Sequence, residues 1–267
     1  MDERSFRTRN IWAWIRGPHS PKLFLAGAAF FIVGGTWLFF GILEDVVNND
    51  PLVKLDLRVY HFLQERRTPN LDQFMVGVTE LGDVHVIVPV IVAALGWFVW
   101  RRQWQTALYW ILAVGFAQIL VKVLKFALQR PRPGIFYAGV EQFSFPSSHA
   151  LMSTVVYGFL AFLLCHHQSG VRCKVIAFVA ASLIALILFS RLYLGAHWMS
   201  DVVAGLSFAV AWVAALATVY VYRSSEKISA RGLTLLLTVT LVVAGGVHIA
   251  KQHAADLVRY APPLRSE

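Results

Sequence analysis

Two polar stretches of this largely apolar chain concentrate residues that can bind and transfer a charged group. The first contains Lys125 and Arg132 and continues into the run Pro-Ser-Ser-His, and the second begins at Arg191. The transition state of phosphoryl transfer spreads negative charge over its equatorial oxygens, so enzymes stabilise it mainly with positioned cations. The lysine offers a point charge, and the two arginines offer planar forks for bidentate contact. The inventory therefore suits phosphoryl transfer.

The same stretches also hold a candidate nucleophile and a candidate acid. His197 and Asp201 are four residues apart at the predicted start of a helix, so they share one helical face. The carboxylate can hold one ring nitrogen as N–H and leave the other as a nucleophile. His149, from a different helix, can protonate the leaving oxygen. Ser147 lies at a predicted helix N-terminus, where free N–H groups favour an anion, although it also suits a simple N-cap.

The elements that must position these residues are membrane helices. Hydrophobic residues make up 57% of the 267 residues and charged residues only 15%, which excludes an ordinary soluble domain and a nucleic-acid-binding module. A span needs roughly 20 apolar residues. Seven segments qualify, near 23–43, 84–100, 105–128, 148–165, 174–190, 200–222 and 232–250. The sequence predicts an all-α, polytopic membrane bundle, with Gly245 and Gly246 weakening the last span.

Between the first two spans the pattern predicts an amphipathic helix. In Leu52–Leu63 the side chains of Leu55, Val59 and Phe62 fall on one helical face. We expect this helix to lie in the membrane interface or, alternatively, to pack on the bundle as an ordinary helix. In the third span Lys122 recurs on the face of Lys125, so it either shares that polar face or snorkels to the interface.

Charge in the short loops predicts the orientation and the division of the chain. Basic residues cluster before the first span and in the loops after the second, fourth and sixth spans, which places the N-terminus inside and both polar stretches outside. We divide the chain into a basic cytoplasmic segment (1–22), a membrane core (23–222), and a loop, seventh span and tail (223–267). The basic residues before the first span are Arg4, Arg7, Arg9, Arg16 and Lys22.

No metal or cofactor is expected for the reaction. The sequence offers no carboxylate cluster of the kind that holds magnesium near the polar stretches. Cys165 and Cys173, beside His166 and His167, match no zinc-ligand spacing, and we interpret them as unpaired thiols at helix ends. His248 and His253 are interpreted as interfacial rather than catalytic.

Three ordered motifs resemble the type 2 phosphatidic acid phosphatase family of membrane lipid phosphatases: Lys-x6-Arg-Pro from Lys125, Pro-Ser-x-His ending at His149, and Ser-Arg-x5-His-x3-Asp ending at Asp201. The resemblance implies a six-helix core, with the site at the outer membrane face and the predicted seventh span outside that core. It implies a phosphohistidine on His197, oriented by Asp201, with His149 as general acid. The phosphate-binding residues it implies are Lys125, Arg132, Ser147, Ser148 and Arg191. The family usually has glycine at the position of Ser148, but the backbone N–H survives that change, so activity is expected to persist.

The sequence leaves several functions open. A lipid phosphate or diphosphate phosphatase fits best, acting on undecaprenyl diphosphate, phosphatidylglycerol phosphate or phosphatidic acid, in a bacterial inner membrane with the site facing the periplasm. A phosphotransferase would use the same histidine and pass the phosphoryl group to an alcohol. A non-enzymatic protein that binds lipid head groups would not need both histidines and the aspartate. Vanadium-dependent haloperoxidases have a similar site, but they are soluble.

Overall fold

The computed structural model describes residues 21–48, 52–134, 139–166, 168, 170–224 and 226–262, and within these ranges the structure is helical, with no strand beyond one isolated bridge. The helices are α1 (Pro21–Asn48), α2 (Leu52–Gln64), α3 (Pro69–Glu80), α4 (Val84–Trp100), α5 (Trp104–Leu128), α6 (Ser148–Cys165), α7 (Val171–Tyr193), α8 (Met199–Arg223) and α9 (Ala230–Arg259). A short 3₁₀ turn covers Gly139–Gln142. The predicted all-α class is confirmed.

The seven predicted spans are also confirmed. Seven stretches of the described residues are long and apolar enough to cross a membrane, with α3 and α4 forming one of them (Pro69–Trp100). The seventh is longer than predicted, because α9 continues through Gly245 and Gly246 to Arg259. Gly245 is buried, and a Cβ there would lie 3.0 Å from Leu81 Cδ2. Close helix packing at this position favours glycine in spite of its low helix propensity.

The centre of the bundle is α6, in which 67% of the residues are buried. It packs against α5, α7 and α8, and the rings of Trp110 and Phe159 stack where α5 meets α6. Along the outside of this group, α1 packs against α8. Gly35 allows that approach, because a Cβ at this position would lie 2.6 Å from the carbonyl oxygen of Ser207. The packing places the N-terminus of α6 beside the C-terminus of α7.

The predicted amphipathic helix is α2, and its apolar face points away from the protein. Leu55 and Phe62 are 42% and 53% exposed, whereas Asp56, roughly 100° further around the helix, is 1% exposed. This arrangement is typical of an interfacial helix, and it contradicts packing on the bundle through the apolar face. The inward direction of Asp56 brings a carboxylate to the end of the bundle where the polar stretches lie.

Other sequence expectations have mixed outcomes. Lys122 is exposed whereas Lys125 is buried, so the two lysines do not share one interior face. Cys165 and Cys173 are free thiols, as predicted, and the thiol of Cys165 lies 3.5 Å from the carbonyl oxygen of Cys173. The basic segment 1–20, His167 and the tail 263–267 lie outside the described residues.

Candidate active site

Four helix ends meet at one end of the bundle and carry the predicted site residues. Lys125 lies in the last turn of α5, and Arg132 follows in the next loop. Ser147 caps the N-terminus of α6, Arg191 lies in the last turn of α7, and His197 lies between α7 and α8. Residues far apart in the sequence are thereby brought into one site, since helix termini of alternating direction meet at the same end of a bundle.

The chain turns back sharply after α5. Gln129 ends the helix in the left-handed conformation with φ of 48°, and Pro131 cannot continue a helix. Arg132 therefore points back across the end of the bundle, where its Nη1 donates to the carbonyl oxygen of Ala196 (2.6 Å) and lies 2.8 Å from His197 Nε2. Its Nε donates to the carbonyl oxygen of Glu141 at 2.9 Å.

The contact between Arg132 and His197 assigns the tautomer of the imidazole. A guanidinium has only donors, so a ring nitrogen 2.8 Å from Arg132 Nη1 must act as the acceptor. The lone pair is therefore on Nε2, and in the neutral ring the proton is on Nδ1. The Nδ1 atom lies 3.4 Å from Oδ2 of Asp201, which is in the first turn of α8. This orientation directs the lone pair of Nε2 toward the cation of Arg132.

The surroundings of His197 keep its ring neutral. The residue is 2% exposed, and burial disfavours the imidazolium form. The pKa of His197 is therefore lowered well below its ordinary value, first by burial and then by the charges of Arg132, Arg191 and Lys125, with a smaller effect of His149. The three cations and His149 therefore lie close enough to His197 to affect its charge.

The connection between α7 and α8 places His197 by backbone contacts. The carbonyl oxygen of Arg191 accepts the amides of Ala196 (3.0 Å) and His197 (3.3 Å). Gly195 makes the turn with φ of +68°, a region that other residues rarely adopt, and a Cβ there would lie 3.0 Å from Tyr60 Cε2. These contacts attach His197 to the end of α7.

The side chain of Arg191 is fully buried, and its observed partners include two hydroxyl groups. Its Nη1 donates to Thr79 Oγ1 at 2.7 Å and to the hydroxyl oxygen of Tyr260 at 3.1 Å. Thr79 lies near the end of α3, and Tyr260 directly follows α9. Sequence reasoning missed both residues, because neither lies in a motif or near Arg191 in the sequence.

Lys125 already holds an anionic oxygen. Its ammonium group is fully buried and forms an ion pair with the carboxylate of Glu141, which is 53% exposed at the side chain. A buried ammonium that is paired with a half-exposed carboxylate can exchange that carboxylate for another anion. Glu141 is a third residue that sequence reasoning missed.

The N-terminus of α6 contributes Ser147, Ser148 and His149. Ser147 Oγ accepts the amide of Ala150 at 3.4 Å, so this side chain acts as a helix cap, and its own amide donates to the carbonyl oxygen of Asp201 at 3.1 Å. Ser148 Oγ is buried and has no hydrogen-bond partner among the residues that the structure describes. His149 lies against Gly82, where a Cβ would be 3.0 Å from His149 Cδ2.

A buried network that sequence reasoning missed fixes Asp201. Arg130 Nη1 donates to Asp201 Oδ1 (2.6 Å) and to Ser200 Oγ (2.7 Å), while its Nη2 donates to Asp56 Oδ2 (2.8 Å). Asp56 also accepts the amide of Ser200 at 2.8 Å, and the amide of Trp198 donates to Asp201 Oδ2 at 2.9 Å. Two features of the sequence could have pointed to this network: the first arginine in Arg-Pro-Arg and the single carboxylate in α2.

Comparison with known sequences places the site within a described family. The sequence model of the PAP2 superfamily matches residues 106–225. Phosphatidylglycerophosphatase B of Bacillus subtilis is 33% identical over 175 residues, which cover 64% of this chain and 86% of that protein. Undecaprenyl-diphosphatase of Sulfolobus acidocaldarius is 23% identical over 176 residues, covering 63% of this chain and 80% of that protein.

A solved structure shares the fold. The crystal structure of a transmembrane PAP2-type phosphatidylglycerolphosphate phosphatase from Bacillus subtilis matches with a TM-score of 0.63 and 27% identity. The match covers 98% of that chain but only 72% of this one. This chain therefore adds segments that have no counterpart in the matched structure.

We expect Arg130→Gln to destabilise the protein by about 3–5 kcal/mol, because two buried carboxylates, Asp56 and Asp201, lose their shared partner. Adding Asp56→Asn removes one of these charges, so the double variant should be more stable than Arg130→Gln alone. Thermal unfolding in detergent measures both effects. Arg66→Gln, at a side chain that is 57% exposed, is the matched control and should be neutral. Equal stability of Arg130→Gln and wild type would contradict the role of the network.

Proposed function

The chain belongs to the PAP2 superfamily and is an integral membrane protein, and on that premise we propose that it removes phosphate from a lipid phosphate or diphosphate with His197 as the nucleophile. Its relatives named above are lipid phosphatases, which supports the reaction class. The observation that carries the proposal is the position of His197 Nε2, a neutral acceptor 2.8 Å from Arg132 Nη1 with Asp201 behind the ring.

The proposed reaction has two steps. In the first, the Nε2 lone pair of His197 attacks phosphorus, the P–N bond forms as the P–O bond to the lipid breaks, and His149 gives its proton to the leaving oxygen. In the second, His149 takes a proton from water as the water oxygen attacks the phosphohistidine, and inorganic phosphate leaves with the electron pair of the P–N bond returned to His197. Asp201 stabilises the proton on Nδ1 throughout.

The phosphate oxygens would be bound by the three cations of the site. Arg132 moves from Nε2 to a phosphate oxygen as the substrate enters, and Arg191 and Lys125 bind the remaining oxygens. The substrate displaces the carboxylate of Glu141 from Lys125, an exchange of one anion for another. The N-terminus of α6, with the amide of Ser148, adds donors and the favourable end of the helix dipole.

The potential metal ligands near His197 favour a reaction without a metal ion. Magnesium needs oxygen ligands, usually one or more carboxylates. Asp56 and Asp201, the two buried carboxylates beside the nucleophile, both accept hydrogen bonds from Arg130. Three cations supply the charge stabilisation that magnesium supplies in other phosphoryl-transfer enzymes.

Among substrates, we propose phosphatidylglycerol phosphate first, since the relative at 33% identity is a phosphatidylglycerophosphatase. Undecaprenyl diphosphate and phosphatidic acid are the alternatives. We further propose a bacterial inner-membrane location with the site facing the periplasm, because the opposite end of the bundle carries Arg101, Arg102, Arg172 and Lys174 within two short stretches.

Phosphate release from phosphatidylglycerol phosphate, undecaprenyl diphosphate and phosphatidic acid in detergent micelles tests the reaction and the substrate. We expect hydrolysis to persist in excess chelator, with phosphatidylglycerol phosphate as the best substrate. His197→Ala supplies the background rate, and His61→Ala, at an exposed histidine, is the matched control and should keep full activity. Release from none of the three lipids would refute the proposed reaction. Activity lost in chelator and restored by magnesium would refute its metal independence alone.

A leaving-group series separates the roles of the two histidines. His197→Ala should be inactive on every substrate, because no P–N bond can form. His149→Ala should lose about 10²–10⁴-fold on a phosphomonoester lipid, the usual contribution of a general acid, and relatively less on an aryl phosphate whose leaving group needs no proton. Rates of both variants across leaving groups of graded acidity measure this difference. A uniform loss for His149→Ala across the series would overturn its assignment as the acid.

Thiol labelling tests the orientation. In a Cys165→Ser, Cys173→Ser background, Gln142→Cys and Lys227→Cys introduce single thiols at exposed positions on the two ends of the bundle. An impermeant maleimide should label the first variant in intact cells and the second only after permeabilisation. The opposite pattern would place the site in the cytoplasm.

A further inference from the structure

A second polar cluster lies between α4 and α9, apart from the residues placed in the reaction. Asp83 caps the N-terminus of α4, where its Oδ1 accepts the amide of His85 at 2.9 Å and lies 2.6 Å from His85 Nδ1. His248 of α9 points its Nε2 at the same oxygen from 3.8 Å. One potential ligand atom from each of the three side chains lies within 4.8 Å of the other two.

His248 is the unusual member of this cluster. It is 9% exposed, and its Nε2 is buried without a hydrogen-bond partner among the described residues. A buried polar atom without a partner is unfavourable, so such an atom in a folded protein calls for an explanation. Its distance of 3.8 Å from Asp83 Oδ1 is too long for a hydrogen bond. Two ligands of one metal ion, each about 2.0–2.2 Å from it, are separated by roughly 3–4 Å.

We propose that Asp83, His85 and His248 form a binding site for a divalent transition-metal ion that ties α9 to α4. Two imidazoles and one carboxylate suit zinc and its neighbours in the first transition series, rather than magnesium or calcium, which take oxygen ligands. The rings of His85 and His248 are stacked at 5.1 Å between centroids with planes 14° apart, so their lone pairs lie in two nearly parallel planes and do not meet at one point. His85 must therefore turn toward the ion, and its side chain, 72% exposed, has the freedom to do so.

The surroundings allow an ion to enter and water to complete its coordination. His85 and His248 line a groove of about 620 Å³ between the two helices, together with Pro89, Val247 and Lys251. Lys251 is exposed, so its ammonium can remain in solvent at a distance from the ion. All three proposed ligands lie outside residues 106–225, the segment that matches the PAP2 superfamily. The proposed metal site therefore lies outside the segment that the superfamily model matches.

Cobalt titration of the full-length protein tests the site. The protein is purified with a tag that contains no histidine, stripped with chelator, and carries His197→Ala so that the active-site histidines do not contribute a complete ligand set. We expect one bound cobalt ion with visible ligand-field absorption. His248→Ala and Asp83→Asn should each weaken binding by about tenfold or more, since each removes a ligand. His61→Ala, at an exposed histidine of α2, is the matched control and should bind as the parent does.

His85→Ala provides a second test at an exposed position, where the change should leave the fold intact even if His248→Ala does not fold. Zinc should raise the thermal midpoint of the parent protein and have a smaller effect on His85→Ala. Cobalt binding and a zinc-induced shift that are unchanged in His85→Ala, or no cobalt binding by the parent at micromolar protein, would overturn the proposal. Neither result bears on the proposed hydrolysis, which is measured separately in chelator.

Discussion

The site depends on how cations are held inside a membrane protein. A buried charge is costly unless it is paired or hydrogen-bonded, so the type of partner decides what each cation can still do. Arg130 lies between Asp56 and Asp201, and the two carboxylates neutralise its charge. Arg191 is positioned by the hydroxyl groups of Thr79 and Tyr260, which orient a guanidinium without cancelling its charge. Arg191 can therefore take the proposed phosphate-binding role, whereas Arg130 is already paired with two carboxylates.

The position of His197 depends on the contacts that Asp201 makes with Arg130 and with the backbone. One carboxylate oxygen accepts from Arg130, and the other accepts the amide of Trp198 and faces His197 Nδ1. The backbone carbonyl of the same residue accepts the amide of Ser147, which joins the start of α8 to the start of α6. Asp201 therefore contacts both the ring of His197, the proposed nucleophile, and the start of the helix that carries the proposed acid. A small shift of Asp201 would misalign both.

The sequence predicts those parts of the structure that leave a local pattern, such as an apolar run or a regular spacing of polar residues. Apolar runs long enough to cross a membrane predict all seven spans, and a spacing of four predicts that His197 and Asp201 face each other. Asp56, Thr79 and Tyr260 carry no such signal, because each is a single polar residue whose partner lies on another helix. Helical spacing alone also failed to separate exposed Lys122 from buried Lys125, since the burial of a helix face depends on which neighbour packs there. Tertiary packing, and not local pattern, selects these residues.

The contacts of Tyr260 extend this dependence to a part of the chain beyond the matched family segment. Its hydroxyl accepts from Arg191, and its carbonyl oxygen accepts from Arg67 Nη2 at 2.6 Å, while Arg67 Nε pairs with Asp72 at 3.0 Å. The end of α9 is thereby attached both to a proposed phosphate-binding cation and to the connection between α2 and α3. Because α2 also supplies Asp56 to the Arg130 network, the flanking helices hold the core site from two sides. Because Tyr260 contacts Arg191 directly, a displacement of the end of α9 would alter the position of Arg191. The electrostatics of the site therefore depend on an element that the superfamily match does not include.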